Sequence, residues 1–295
     1  MTGSVFHEGE LYVQQSVGEE YFAMRNGAII RDTIAGGAVN FIDNQKFFLA
    51  ASEDSGGNLW TSILSGNTGF LSVSDMHHLI LNPDLLTSDT EDIFWKNIHQ
   101  NVSVGLLFID LTTRRRFRVN GKISAEEKQW KIEIDQAYPN CPKYIQKREI
   151  TVADHTVNPV SKDLQKWIDS ADTVFVASSD SDGNLDVSHR GGKPGFIAWD
   201  RKTILRIPDY QGNSMFNTLG NFHENPKAGL LFVDFSNGET LKLTGTVDIH
   251  LNEESADTFT GGTGRFWDFH IEKITFGKSL ENFSTRLVDY SPYNP

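Results

Sequence analysis

The chain has 295 residues, 38% of them hydrophobic and 22% charged, with a formal net charge of −12. That composition is globular rather than disordered, and the length suits two domains of about 100 to 150 residues. The acidic balance excludes general binding to nucleic acid or anionic membranes, which needs a basic face, so an anionic ligand requires a local basic pocket. No apolar run approaches the roughly 20 residues of a membrane span. The N-terminus MTGSVFHEGELYVQQ has no basic patch followed by an apolar stretch, so it does not read as a secretory signal, and a cytoplasmic location is the expectation. The single cysteine, Cys141, excludes an internal disulfide framework and any multi-Cys metal site, and reads as a reduced thiol.

In chain order, Glu8 to Val17 reads as helical, and Phe47 to Ala51 as an apolar strand that turns through Asp, Ser and Gly into a second strand carrying TSIL. A third strand, Leu79 to Leu81, runs into a loop that feeds a short helix. Ser88 with Glu91 three residues on has capping-box spacing, and the helix should stop around Asn101. The apolar strand GLLFID and the segment RFRVNG follow. Tyr138 to Pro159, with its Pro, Asn and Lys, reads as a linker. The pattern then repeats. A helical stretch, Lys162 to Ser170, precedes a strand at Val174 to Ala177, a strand carrying VSHR and a strand at Ile204 to Ile207. A helix starts near Asn213 and stops at Asn225-Pro226, where proline disfavours helix in the residue before it. The strand GLLFVD, the turn Ser236-Asn237-Gly238 and an alternating strand with Leu241 and Leu243 against Lys242 and Thr244 complete the unit.

The repetition extends to the residues. FLAASEDSGGNLWTSILSGNTGF from Phe48 returns as VFVASSDSDGNLDVSHRGGKPGF from Val174, an offset of 126 that aligns Asn58 with Asn184. NIHQNVSVGLLFIDL from Asn97 returns as NFHENPKAGLLFVDF from Asn221, an offset of 124. Two blocks in one order at nearly constant offset mark a tandem of two homologous domains, too few copies for a solenoid. We place copy one at residues 1–155 and copy two at 156–295. Short strands around one helix suggest a small β-barrel for each.

DVSHRGGKPGF, LRIPDYQGNSMFNTLGNFHENPKAGLLFVDF and TLKLTG make copy two resemble the pyridoxamine 5′-phosphate oxidase-like, FMN-binding split-barrel family. Copy one resembles it more loosely, through LTTRRRFRVNG and the repeat itself. The segments AYPNCPKYIQKR and SPYNP resemble a tandem subgroup related to that oxidase. The resemblance implies a mainly β fold with short helices (α+β), two Greek-key split barrels forming a pseudo-dimer. It also implies FMN at their interface, with its phosphate on basic and hydroxyl side chains from one barrel's strands and helix entrance.

The residues make physical sense of that expectation. A phosphate needs hydrogen-bond donors and positive charge, and helix N-termini supply both. Ser188 and Arg190 alternate on one strand and share a face, with His189 on the other unless a bulge intervenes. Arg206 follows on the next strand, and Asn213 and Ser214 can open the helix. Lys193, Asp209, Tyr210, Asn217 and Thr218 complete the copy-two set. In copy one Arg190 becomes Leu64, Lys193 becomes Asn67, Arg206 becomes Ile80, Asn217 becomes Ile93 and Thr218 becomes Phe94. Only copy two is expected to keep a phosphate cradle, with copy one supplying the opposite wall.

For that wall the candidates are Trp60 and the run Arg114-Arg115-Arg116, from which Arg115 and Arg116 are taken as cofactor contacts. Arg116 matches Thr240, a position that resembles a flavin-contacting glutamine of the family, and an arginine there would stabilise charge on a reduced ring. Arg265 in GRFW resembles a family arginine near the C-terminus that contacts FMN. Each has a plainer alternative: the arginines a solvated hairpin end, Arg190 a surface ion pair, Trp60 core packing, and His189 neutral packing. His77 and His78 lack a third ligand at metal spacing, and no metal site is expected.

GGTGRFW has no third glycine for a dinucleotide loop, FGKS lacks the upstream glycine of a P-loop, and GNSMF is not a nucleophile elbow. The expectation is an FMN-dependent oxidoreductase acting on a small molecule, its catalytic acid or base unassigned. NAD(P)H docking on the flavin or a separate reductase would supply electrons, and a homodimer is open. Oxidation of a B6 vitamer is not favoured, because the family's Arg-x-His pattern is missing from TGGTGRFWDFH. The alternative is a non-enzymatic holder of flavin, deazaflavin or haem.

Overall fold

A computed structural model describes residues 4–152, 162–280 and 283–295. Three helices open the chain, α1 (Glu8–Ser16), α2 (Glu20–Gly27) and α3 (Gly36–Asp43). Copy one then forms β1 (Phe47–Glu53), β2 (Leu59–Ser65), β3 (Leu71–Asp75), β4 (His78–Leu81), α4 (Ile93–Ile98), β5 (Ser103–Asp110), β6 (Arg115–Glu126) and β7 (Gln129–Asn140). After β8 (Lys147–Val152) and α5 (Leu164–Ser170), copy two forms β9 (Thr173–Ser179), β10 (Leu185–Gly191), β11 (Ala198–Trp199) and β12 (Ile204–Pro208). It continues with α6 (Asn217–Glu224), β13 (Lys227–Asp234), β14 (Glu239–His250), α7 (Asp257–Thr260), β15 (Phe266–Lys278) and β16 (Phe283–Asp289).

The two sheets have seven strands each in the same order, β2-β1-β5-β6-β7-β4-β3 and β10-β9-β13-β14-β15-β12-β11. These are the two split barrels, mainly β with short helices. The runs FFLAA, VFVA and GLLF lack alternation because their strands are buried on both faces. Phe48 and Ala50 of β1 face the core of copy one, while Phe47, Leu49 and Ala51 face a third core shared with copy two. β9 does the same: Val174 and Val176 face the core of copy two, and Phe175 and Ala177 the shared one. Glycine permits this contact. A Cβ on Gly105 would lie 2.7 Å from Cα of Asp186, and one on the matching Gly229 would lie 2.4 Å from the carbonyl oxygen of Leu59.

The linker expected at Tyr138 to Pro159 is mostly structure. Its first residues finish β7, and β8 pairs antiparallel with β16, one strand from each copy, clasping the two together. Residues 153–159, and with them the division at 155/156, fall outside the described residues. The helix matching α5 is α3, which packs into copy one's core through Ala38 and Ile42. α1 belongs to neither pattern: its Val13 enters the core of copy two, and it lies against α6.

Both predicted helix starts move. In copy one Asp92, not Ser88, caps α4, its Oδ1 accepting from the Phe94 amide at 3.0 Å. In copy two the helix opens at Asn217 rather than near Asn213, because Ser214 and Phe216 both take left-handed backbone (φ 63° and 61°), which interrupts a helical turn. The Asn213 Oδ1 instead accepts from the Met215 amide at 3.1 Å.

Candidate functional site

A cleft runs between the copies, and ten of the expected site residues line it. Ser188, His189 and Arg190 come from β10, Asp209, Tyr210, Asn213 and Ser214 from the loop after β12, Asn217 and Thr218 from α6, and Arg116 from β6. The Ser188 Oγ accepts from Thr218 Oγ1 at 2.8 Å and lies 2.6 Å from Nη2 of Arg118. No side chain caps the start of α6. Arg190 meets Asp209 at 3.3 Å, yet its Nε is buried without a partner.

Arg116 is the electrostatic anomaly of the cleft. Its Nε donates to the carbonyl of Cys141 at 2.7 Å and Nη1 lies 3.3 Å from Nδ1 of His189, but no carboxylate pairs with it among the described residues. Burial, and then repulsion from Arg118 and Arg190, lowers its pKa to about 9. Burial, with Arg116 and Arg190 close by, likewise pushes His189 well below the usual histidine range, so it is neutral at pH 7. Its Nε2 is buried without a hydrogen-bond partner.

The other five expected residues lie elsewhere. Arg206 points outward into a bidentate pair with Asp268, both bonds 2.8 Å, because its neighbours Leu205 and Ile207 take the inward face of β12. Lys193 is exposed and outside the cleft. Arg115 stacks over Phe41, 4.8 Å from the ring centroid, in a separate groove on copy one. Trp60 is buried and donates Nε1 to Asp54 at 3.0 Å, which is the packing alternative. Arg265 sits behind the cleft, holding Asp209 at 3.2 Å and Glu19 at 3.1 Å, with one Nη2 left unpartnered.

Sequence reasoning missed Arg118. It is 4% exposed and crosses from copy one into copy two, pairing with Asp186 at 2.7 Å and donating to Asn217 and Tyr138. Burial opposes its charge, but Asp186 and Tyr138 outweigh this and raise its pKa. Its signal was the matching Lys242, a second basic residue between apolar neighbours on a strand. Cys141, Lys143 and Tyr144 also line the cleft, from a segment read as linker. The Tyr144 hydroxyl donates to the Gln211 carbonyl at 2.9 Å.

The fold and cleft define a tandem pair of split barrels with one cationic site between unlike copies. The family model described as pyridoxamine 5′-phosphate oxidase matches residues 160–273, most of copy two, and the two sheets repeat one strand order in both copies. No curated protein sequence matches. Among solved structures, HupZ of Group A Streptococcus is 18% identical over 42% of this chain and 98% of its own, with a TM-score of 0.33. An F420 reductase is 17% identical over 39% and 98%, with a TM-score of 0.31. HutZ, a haem storage protein from Vibrio cholerae, is 9% identical over 41% and 96%, with a TM-score of 0.30.

Proposed function

We propose that the chain binds one FMN in the cleft and works as an oxidoreductase on a small molecule. The observation that carries this reading is Arg116, a half-buried cation beside two further arginines with no carboxylate partner among the described residues. A partly desolvated charge of that kind is costly unless an anion answers it.

The donor set fits a phosphate monoester. Ser188, Thr218, Arg190 and the uncapped start of α6 would hold the phosphate of FMN, with Arg118 fixing the Ser188 hydroxyl. Arg116, His189 and Cys141 would face the ring. FMN, when bound, supplies the hydride and electron transfer, and the protein's part is to bind, orient and balance charge. Arg116 would favour negative charge beside it, neutral His189 would act as a positioned donor or acceptor, and Tyr144 would limit solvent entry. NAD(P)H or a separate reductase would deliver electrons.

The second reading is a holder of flavin, deazaflavin or haem without turnover. The purified protein is mixed with FMN, desalted and read in the visible range, with the released chromophore identified by chromatography. About one retained FMN per chain, reducible by NAD(P)H or a reductase, is expected. Retention of haem or deazaflavin but not FMN would replace the first reading with the second.

A further inference from the structure

Opposite the cationic cleft, copy one contains a buried cluster built from the matching positions. Ser62 matches Ser188, Lys242 matches Arg118, and Asp92 stands where copy two has Phe216. Lys242 crosses from copy two, as Arg118 crosses from copy one. Its Nζ donates to Ser62 Oγ at 3.1 Å and forms an ion pair with Asp92, and Ser62 Oγ donates to Asp92 Oδ1 at 2.5 Å. Ser62, Asp92 and Lys242 are 0%, 5% and 6% exposed.

The two clusters differ in where their carboxylate comes from. Asp186, on strand β10, answers Arg118 and leaves the start of α6 facing the cleft. The matching strand residue in copy one is Trp60, which carries no charge, and the carboxylate comes from Asp92 instead. An ammonium and a hydroxyl that bind a carboxylate oxygen would bind a phosphate oxygen equally well.

We infer that copy one keeps a second oxyanion site, filled by the chain's own Asp92 carboxylate, and that removing this carboxylate turns it into a site for a phosphate dianion. Lys242 supplies the drive, because a buried ammonium stripped of its counter-charge recruits an anion or destabilises the fold. Whether the incoming dianion is free phosphate or a phosphate monoester, the donors are the same. The inference rests on reading the Ser188 cluster as an oxyanion cradle, but it concerns different residues.

The test uses inorganic phosphate and calorimetric titration of the full chain. Glycine is tolerated at a helix N-cap, so Asp92→Gly is the opening variant. It should bind one more phosphate per chain than wild type, and the double variant Asp92→Gly, Lys242→Met should return to the wild-type number. A folded Asp92→Gly protein with the wild-type number overturns the inference. Should Asp92→Gly unfold in phosphate-free buffer, refolding is compared with and without phosphate. Rescue by phosphate, with the double variant folding in its absence, supports the inference, and no rescue overturns it. FMN retention by wild type is measured separately, so failure here leaves the cleft's cofactor reading standing.

Discussion

Arg118 on β6 of copy one lies 2.7 Å from Asp186 on β10 of copy two, and both are almost wholly buried. The pair ties the two barrels together at the cleft, which Arg118 lines. Arg118→Met should therefore leave Asp186 uncompensated and cost about 3 to 5 kcal/mol in urea unfolding. The variant Arg118→Met, Asp186→Leu should recover much of that loss.

Arg190→Ala should weaken FMN binding by about 1.5 to 3 kcal/mol, the worth of a charged hydrogen bond. Leu64, its counterpart in copy one, is fully buried in an apolar core. Leu64→Ala should cost about 2 to 5 kcal/mol of stability and leave FMN affinity unchanged. Fluorescence titration and thermal melts of both variants check the asymmetry between the copies.

Arg116→Met should act in opposite directions on the two states. Without cofactor the protein loses a half-buried charge that has no carboxylate partner among the described residues and should melt at the same temperature or higher, while FMN affinity should fall. A lower melting temperature together with unchanged affinity would show that Arg116 is structural.

Glu10 of α1 is 4% exposed and accepts from Asn217 of α6, and burial raises its pKa to about 7. Its ordinary value is 4.5, so between those two pH values the folded chain binds the extra proton and stability falls as pH rises. Glu10→Gln should match wild type below pH 4.5 and exceed it above pH 7, by about 3 kcal/mol. Unfolding curves at pH 4 and pH 8 provide the comparison.

Gly229→Ala should clash with the Leu59 backbone and cost at least about 1 to 3 kcal/mol, seen as a lower melting temperature.

The repeat, the strands and the apolar runs were legible because they follow from local chemistry. The blocks DSGGN and DSDGN form the same turn, in which Asp54 and Asp180 each accept from backbone amides two and four residues on. Ser188 and Arg190 line the cleft, but so does His189 between them, which alternation alone puts on the other face. Arg206 shows the limit of that argument: it lies on the adjoining strand, but alternation with Leu205 and Ile207 turns it outward to Asp268. The start of α6 depended on left-handed residues at Ser214 and Phe216 that carry no compositional mark.

By itself the sequence determined that two related barrels lie in one chain and that their lining residues differ, since both properties are written in residue identity and spacing. The tertiary structure decided which charges meet. Arg118 crosses to Asp186, Lys242 crosses to Asp92, and Arg116 is left with no carboxylate partner among the described residues. Those pairings span 68 and 150 positions of chain, and only the docking of one barrel on the other brings them within bonding distance.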